Sequence, residues 1–415
     1  MLYHGSLILL AVLALLGVVF EEKIHINKAK TTLFCGTLSW IILFIGAKGE
    51  QLGVIEKGLH ENLAEIASLW LFLLAAMTFV AYLNKKGMIE NLIHLFLPSK
   101  ISEKKLMIIT GIFSFVFSSL ADNITATLCS VALIMSLHMP LEKTLKYAVL
   151  VVFAVNSGGV ALITGDVTTL MIFLSKKVEI ENLLLLSLPS FIAVMALTLL
   201  LCRGLDGHVE IRLRPTTFHK TELMIAIIFL CTILGTIAAN ILFAIPPVLS
   251  FLFGLSLMFL AATLYRDDSE THPIMDYIRM VEFDTLMFFL GILLVVGMLR
   301  EIHVLDNLVQ LYTLLPHAIA SLLMGIASAF IDNVPLTAAL LKSGIEMTDT
   351  NWLVLTYSVG VGGSLLSIGS AAGIVSMSKV PGLTFSAYLR YYPLLLIAFG
   401  CGFAGSMLIG MLRFG

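Results

Sequence analysis

The sequence predicts an all-α membrane protein built from two inverted repeats of transmembrane helices, each with a re-entrant helical hairpin and a broken helix. Three observations predict it. Of the 415 residues, 59% are hydrophobic and only 13% are charged, with a mean hydropathy of +1.01, far more apolar than the roughly 45 to 50% of a soluble domain. Apolar runs of about 17 to 25 residues, the length a membrane helix needs, recur along almost the whole chain and leave no room for a sizeable soluble domain. Finally, an Asp-Asn pair occurs twice inside apolar sequence, at 122–123 and 332–333, each time with a Gly-Gly or Gly-Val-Gly-Gly run downstream.

Reading apolar runs bounded by charge and turn residues gives spans near 7–20, 31–46, 65–83, 148–174, 182–202, 222–243, 248–264, 283–299, 352–378 and 392–412, about ten crossings. The first run has no basic segment before it and no small-residue cleavage site, so it reads as a retained span. The regions 106–137 and 319–341 are also apolar but carry Asp and Asn at their middles. Each half is too short to cross a hydrocarbon layer of about 30 Å alone, which fits a re-entrant hairpin.

Charge supports this reading. The segments 21–30, 84–105, 138–147, 203–221, 265–281 and 379–391 hold eighteen of the 25 Lys and Arg. The positive-inside rule makes that side cytoplasmic and puts both termini outside. The bias survives only if both Asp-Asn regions return to the side they entered from. Lys85, Lys86, Lys100, Lys104 and Lys105 form a basic cluster there that sets topology. With a net charge of −2 carried in short loops, a nucleic-acid partner is not expected. The five cysteines, Cys35, Cys129, Cys202, Cys231 and Cys401, lie in apolar segments without metal-type spacing. They read as small core residues, neither disulfides nor ligands.

The repeat emerges when the two Asp-Asn regions are compared. Ser118-Ser119-Leu120-Ala121-Asp122-Asn123-Ile124 resembles Ser328-Ala329-Phe330-Ile331-Asp332-Asn333-Val334, an offset of 210. Asn156-Ser157-Gly158-Gly159 and Gly165 align with Gly360-Val361-Gly362-Gly363 and Gly369 at an offset of 204, and Glu90-Asn91-Leu92 with Asp306-Asn307-Leu308 at 216. Three ordered matches at nearly one spacing indicate duplication. Repeat one covers 31–202 and repeat two 248–412 within a single transport unit of 1–415. Their first spans are separated by an odd number of crossings, so the repeats are inverted, the plan of secondary transporters.

A hairpin tip and a helix broken at glycines both leave backbone groups without intrahelical partners, a state tolerated only beside a solvated cavity. Asp122 and Asn123, or Asp332 and Asn333, add a carboxylate and an amide oxygen at each tip, with hydroxyls from Thr125, Thr127 or Thr337. Such hard oxygens suit sodium or lithium, and half-helix ends add favourable potential for a cation. An Asp in this position also serves as an N-cap, but two ionisable groups at membrane depth point to function. Asp166 is a third intramembrane carboxylate, and its repeat counterpart is Ser370. The two halves are therefore not chemically equal. Asn156, Ser157 and Ser364 complete the candidate cation- and proton-binding set. The small residues from Gly362 to Gly373 also serve close helix packing. Glu65, Glu282 and Asp284 read as hydrated span edges, and His138, His303 and His317 as structural.

The segments Ser119-Leu120-Ala121-Asp122-Asn123-Ile124-Thr125, Asn156-Ser157-Gly158-Gly159, Gly165-Asp166-Val167-Thr168-Thr169, Asp332-Asn333-Val334-Pro335-Leu336 and Gly362-Gly363-Ser364 through Gly373 resemble the NhaD-type sodium/proton antiporters of the ion transporter superfamily. That superfamily also contains dicarboxylate and arsenite carriers. The resemblance runs from about residue 65 onwards. It departs at Val160-Ala161-Leu162-Ile163, where the family more usually has a bulkier aromatic and a Pro-Ile. It implies a bacterial inner-membrane protein, often a homodimer, in which a hairpin-bearing domain moves against a scaffold. No cofactor is implied; sodium (or lithium) and protons are the cargo and membrane lipid the surrounding partner. The expected mechanism is competition, with sodium held at Asp122, Asn123, Asp332 and Asn333, and protons entering to displace it outward. Burial disfavours a charged carboxylate and a nearby cation restores it. An ion channel is a rival that alternating-access repeats argue against, and two further rivals remain. One is a sodium-coupled dicarboxylate or arsenite carrier of the same architecture, and the other an intramembrane aspartyl protease using Asp122 and Asp166, which would make the chain an enzyme.

Overall fold

Hydrocarbon offers a backbone N–H or C=O no partner, so a chain this apolar must close its hydrogen bonds within helices. In the computed structural model, which describes residues 2–20, 26–47, 49–88, 100–137, 139–210, 220–264 and 274–414, it does so. The first helices are α1 (Leu2–Val19), α2 (Lys28–Gly46) and α3 (Glu50–Lys85). A short strand, β1 (Lys100–Ser102), leads into α4 (Glu103–Leu120), α5 (Asn123–Ser136), α6 (Leu141–Gly159), α7 (Val167–Leu174) and α8 (Ile180–Leu201). After β2 (His208–Glu210) come α9 (Lys220–Phe243), α10 (Pro247–Leu264), α11 (Phe283–Glu301) and α12 (Asp306–Leu314). The chain ends in α13 (His317–Ser328), α14 (Asn333–Lys342), α15 (Asp349–Gly362), α16 (Ala371–Lys379), α17 (Phe385–Leu389) and α18 (Tyr392–Phe414).

Among the described residues, seven helices, α2, α3, α8, α9, α10, α11 and α18, are long and apolar enough to cross a membrane. The first expected span is the shorter apolar helix α1. The spans expected at 148–174 and 352–378 are each interrupted, after Gly159 and after Gly362, and resume at Val167 and Ala371. The span expected at 65–83 is longer than its apolar core. As α3 it starts at Glu50 and runs 36 residues, about 54 Å at 1.5 Å per residue. Its added turns are largely exposed and carry a Lys57–Glu61 pair at 3.9 Å, the i,i+4 contact that prolongs a solvated helix. Glu90-Asn91-Leu92 and His138 lie outside the described residues.

The broken helices form the core. Every residue from Tyr147 to Gly159 and from Trp352 to Gly362 is buried, as expected of helices apolar all round. Around them the packing comes in matching pairs. α4 lies on α6 as α13 lies on α15, α8 on α6 as α18 on α15, and α2 on α11 as α10 on α3. The pairing also crosses between halves, with α5 against α16 and α14 against α7. Detailed contacts repeat too. Ser118 Oγ donates to Val155 O at 2.8 Å, and Ser328 Oγ donates to Val359 O at 2.8 Å. A Cβ on Gly158 would collide with the Phe115 carbonyl, and one on Gly362 with the Gly325 carbonyl.

α9 and α10 show their apolar side chains outward, among them Ile227, Leu234, Phe253 and Leu264, a surface suited to lipid. None of the five cysteines forms a disulfide, but they are not all core residues. Cys35 is buried, whereas Cys231 and Cys401 are exposed, on outer faces of α9 and α18 where sulfur meets apolar surroundings as readily as in a core.

The β1–β2 ribbon, antiparallel with Ile101 opposite Val209, has no counterpart in the hydropathy pattern. It fastens the start of α4. Glu103 accepts from Lys143 Nζ at 2.5 Å and from Gly207 N at 3.0 Å, while its carbonyl accepts from Tyr147 Oη at 2.6 Å. Nearby, Lys104 of the basic cluster bonds Asp206 at 2.7 Å, and the ammonium holds that carboxyl below its ordinary range.

Candidate functional site

Four helices begin inside the molecule, α5, α7, α14 and α16, and each presents amides that the helix itself cannot satisfy. All four are capped by a side chain, from Asp122, Asp166, Asp332 and Ser370 respectively. Asp122 and Asp332 thus serve as N-caps, and the difference between the four lies in what else each cap touches.

Asp122 binds within its own tip. Its Oδ1 accepts from Thr125 N at 2.9 Å and its Oδ2 from Thr125 Oγ1 at 2.7 Å. Asp332 Oδ1 accepts from Val334 N at 3.2 Å, and its Oδ2 lies 3.6 Å from Lys28 Nζ at the start of α2.

Asp166 is the point of convergence. It is buried, and its Oδ1 accepts from Thr168 N at 3.0 Å. Its Oδ2 accepts from Asn123 Nδ2 at 3.1 Å and from Asn333 Nδ2 at 3.1 Å. The amides of both Asp-Asn motifs, 210 residues apart in sequence, therefore meet on one carboxylate oxygen. Gly159 makes room for this, since a Cβ there would lie 2.7 Å from Asn123 Oδ1. The Ser118 hydroxyl, its single proton shared between the Val155 carbonyl at 2.8 Å and Asn123 Oδ1 at 2.7 Å, orients Asn123.

Asn156 joins the two broken helices by donating to Ser370 Oγ at 3.0 Å and to Val152 O at 2.8 Å. Its own Oδ1 has no hydrogen-bond partner among the described residues, nor do Ser157 Oγ, Thr337 Oγ1 and Ser367 Oγ, all buried. Orphaned buried oxygens are rare. Amides, hydroxyls and a lone carboxylate make a hard donor set, and among the described residues no three His, Cys, Asp or Glu cluster to hold a metal. Oxygen donors of this kind are the ligand type that hard cations take.

Of the sequence-derived candidates, Asn123 and Asn333 both bond Asp166, and Asn156 and Ser157 are buried at the end of α6, just before its break. Asp122 with Thr125 stays local. Ser364 is buried, but its hydroxyl donates to Val361 O at 2.6 Å and its carbonyl accepts from Tyr388 Oη at 2.5 Å. The span-edge acids, expected to be simply hydrated, have protein partners. Glu65 pairs with Lys342 at 2.9 Å, Asp284 accepts from Asn27 at 2.8 Å, and Glu282 accepts from Thr285 at 3.2 Å. Partial burial, then the Asp122 carboxylate, push the Glu282 carboxyl up from its ordinary value. His303 lies 3.5 Å from Asp306, and His317 bonds Asn351.

Lys28 escapes a sequence reading as part of this arrangement, and the sequence marks Gly159 only as a helix break, not as the space into which Asn123 fits. Ser118 had a signal, its match with Ser328 between the two Asp-Asn segments. Lys28 had none, because a basic residue at a helix start is also what topology alone requires.

The profile of the citrate transporter family matches residues 5–362. The chain is 32% identical to the Na(+)/H(+) antiporter NhaD of Alkalimonas amylolytica, over 94% of this chain and 87% of that protein. It is 31% identical to the Na(+)/H(+) antiporter NhaD of Vibrio cholerae serotype O1, over 95% and 89%. It is 30% identical to the sodium/proton antiporter 1 of Arabidopsis thaliana, over 90% of this chain and 68% of that protein.

Proposed function

Because the chain belongs to the citrate transporter family, and within it to the NhaD sodium/proton antiporters, we propose that it exchanges sodium for protons across a membrane at a site centred on Asp166. The observation that carries this reading is the meeting of Asn123 and Asn333 on Asp166 Oδ2. A carboxylate removed from water and held by neutral amides carries an uncompensated charge, and a proton or a sodium ion can each neutralise it. Both cannot do so at once. Sodium binding is thereby tied to proton release, and an inward proton gradient drives sodium out. Asn156, Ser157, Thr337 and Ser367 supply further oxygens, while Asp122 and Asp332 flank the centre as additional carboxylates.

The pairs α4–α5 and α13–α14 act in this reading as re-entrant hairpins of inverted repeats spanning 31–202 and 248–412. The support is the matched packing, the matched Ser118 and Ser328 hydrogen bonds, and the exchange by which α5 meets α16 while α14 meets α7. Asn27 and Asp284 bond at the starts of α2 and α11, so these helices begin on the same side, as the basic-residue bias requires of a cytoplasmic face. Termini outside, a bacterial inner membrane and a homodimer complete the reading. An aspartyl protease gains no support, since Asp122 binds Thr125 while Asp166 binds two amides.

The test is reconstitution in proteoliposomes with an imposed proton gradient. Added sodium, and not potassium, is expected to release protons, and Asp166→Asn is expected to abolish the exchange. Because the family profile is named for citrate, uptake of labelled citrate and succinate is measured in the same vesicles. Sodium-independent proton flux would overturn this reading, and sodium-driven uptake of either acid would replace it with that of an anion carrier.

A further inference from the structure

The two Asp-Asn tips are alike in sequence but not in their surroundings. Asp122 commits both oxygens to Thr125, whereas Asp332 commits one to its cap and leaves Oδ2 to the Lys28 ammonium at 3.6 Å. That separation exceeds the roughly 2.7 to 2.9 Å of a tight charge-assisted hydrogen bond. The pair is shielded all the same, with side-chain exposures of 19% for Lys28 and 12% for Asp332.

Lys28 is well anchored for such a contact. It is the first residue of α2, whose cap Asn27 accepts from Ala29 N at 2.8 Å and donates to Asp284 Oδ2 at 2.8 Å. The ammonium also lies 4.6 Å from the centroid of the Phe288 ring on α11, a face that attracts a cation leaving its carboxylate. The Glu282 carboxylate lies within electrostatic reach of both Lys28 and Asp122. The lysine thus has a second resting place beside Asp332 and an acidic neighbourhood to stay in.

We propose that Lys28 is a tethered internal competitor for sodium, its ammonium holding the Asp332 carboxylate until a sodium ion takes that place. The inference rests on the antiport reading above. It goes further by naming what occupies the second tip in the absence of cargo. Asn333, next in sequence to Asp332, donates to Asp166, so exchange of lysine for sodium at Asp332 is felt by the amide that holds the central carboxylate. A built-in cation of this kind weakens sodium binding and keeps the empty tip electrically satisfied.

The experiment compares Lys28→Met and Lys28→Arg with the unaltered protein in proteoliposomes, separating the apparent KM for sodium from the maximal exchange rate at one fixed pH. Removing the competitor is expected to lower the sodium KM about fivefold or more, the ratio matching roughly 1 kcal/mol for a partly shielded pair. Lys28→Arg is expected to stay near the unaltered value. A KM that is unchanged or raised in a correctly folded Lys28→Met protein overturns the proposal, because a purely structural lysine would lower the rate without improving sodium affinity. If the Met variant does not reach the membrane, Lys28→Gln serves in its place with the same expected fall. Absence of sodium-dependent exchange in the unaltered protein would instead remove the antiport reading, so the two failures are distinguishable.

Discussion

Deleting one amide from the Asp166 pair measures how far the chemistry depends on the convergence of the two Asp-Asn motifs. In Asn333→Ala, Asp166 Oδ2 loses the donor at 3.1 Å and keeps only Asn123, also at 3.1 Å. A hydrogen bond to a charged group contributes about 1.5 to 3 kcal/mol, and the carboxylate is buried. At about 1.4 kcal/mol per tenfold, exchange is expected to fall roughly 10- to 100-fold. Asn123→Ala is expected to cost at least as much, because Ser118 also loses the oxygen to which it donates at 2.7 Å. Since both amides act on one oxygen, the double variant is expected to lose less than the two single losses combined. Initial rates of sodium-induced proton release in proteoliposomes, at matched amounts of inserted protein, give all three values. Rates within about twofold of the unaltered protein in both single variants, against the hydrogen-bond contribution expected above, would refute the idea that the shared carboxylate is the working centre.

Glycine substitutions separate site geometry from packing. Gly159→Ala pushes against the Asn123 side chain, which can yield, so it is expected to reduce exchange while leaving the protein folded. In Gly369→Ala the new Cβ would lie 2.6 Å from both the Ala329 and Gly363 carbonyls, which are backbone and cannot yield, so a loss of thermal stability of about 1 to 3 kcal/mol is expected. Thermal unfolding in detergent alongside transport distinguishes the two, and a stable, active Gly369→Ala protein would show that the break relaxes more than its geometry suggests. Ser118→Ala and Ser328→Ala each orphan a buried carbonyl bond of 2.8 Å and are expected to destabilise by similar amounts, about 1 to 3 kcal/mol. Ser118→Ala should in addition impair transport through Asn123, and equal transport in the two variants would argue against that added role.

Much of the architecture is legible from local rules. A helix that must bury itself in hydrocarbon declares its length, and the glycine pairs at 158–159 and 362–363 mark where a helix stops, with Gly158 and Gly362 each lying against a carbonyl of the helix packed on it. The N-cap at each tip is local as well, needing only an Asp and the amide two or three residues on. Less legible were the extent of α3, where helix propensity continues after hydropathy stops, and the β1–β2 ribbon, whose pairing joins residues that share no apolar pattern. The exposure of Cys231 and Cys401 belongs with these, since an apolar helix does not state in its own sequence which face meets protein and which meets lipid.

By itself the sequence determined the membrane class, the two Asp-Asn pairs, the glycine breaks and the oddity of Asp166, all of which follow from residue type, spacing and the cost of unpaired polar groups in lipid. Only the tertiary structure decided which of these touch. It brought Asn123 and Asn333 onto one oxygen of Asp166, left Asp122 with Thr125, and set Lys28 beside Asp332. The physical reason is that a carboxylate's partner depends on how helices far apart in the chain pack, and the same Asp-Asn pair meets a threonine at one tip and a lysine at the other.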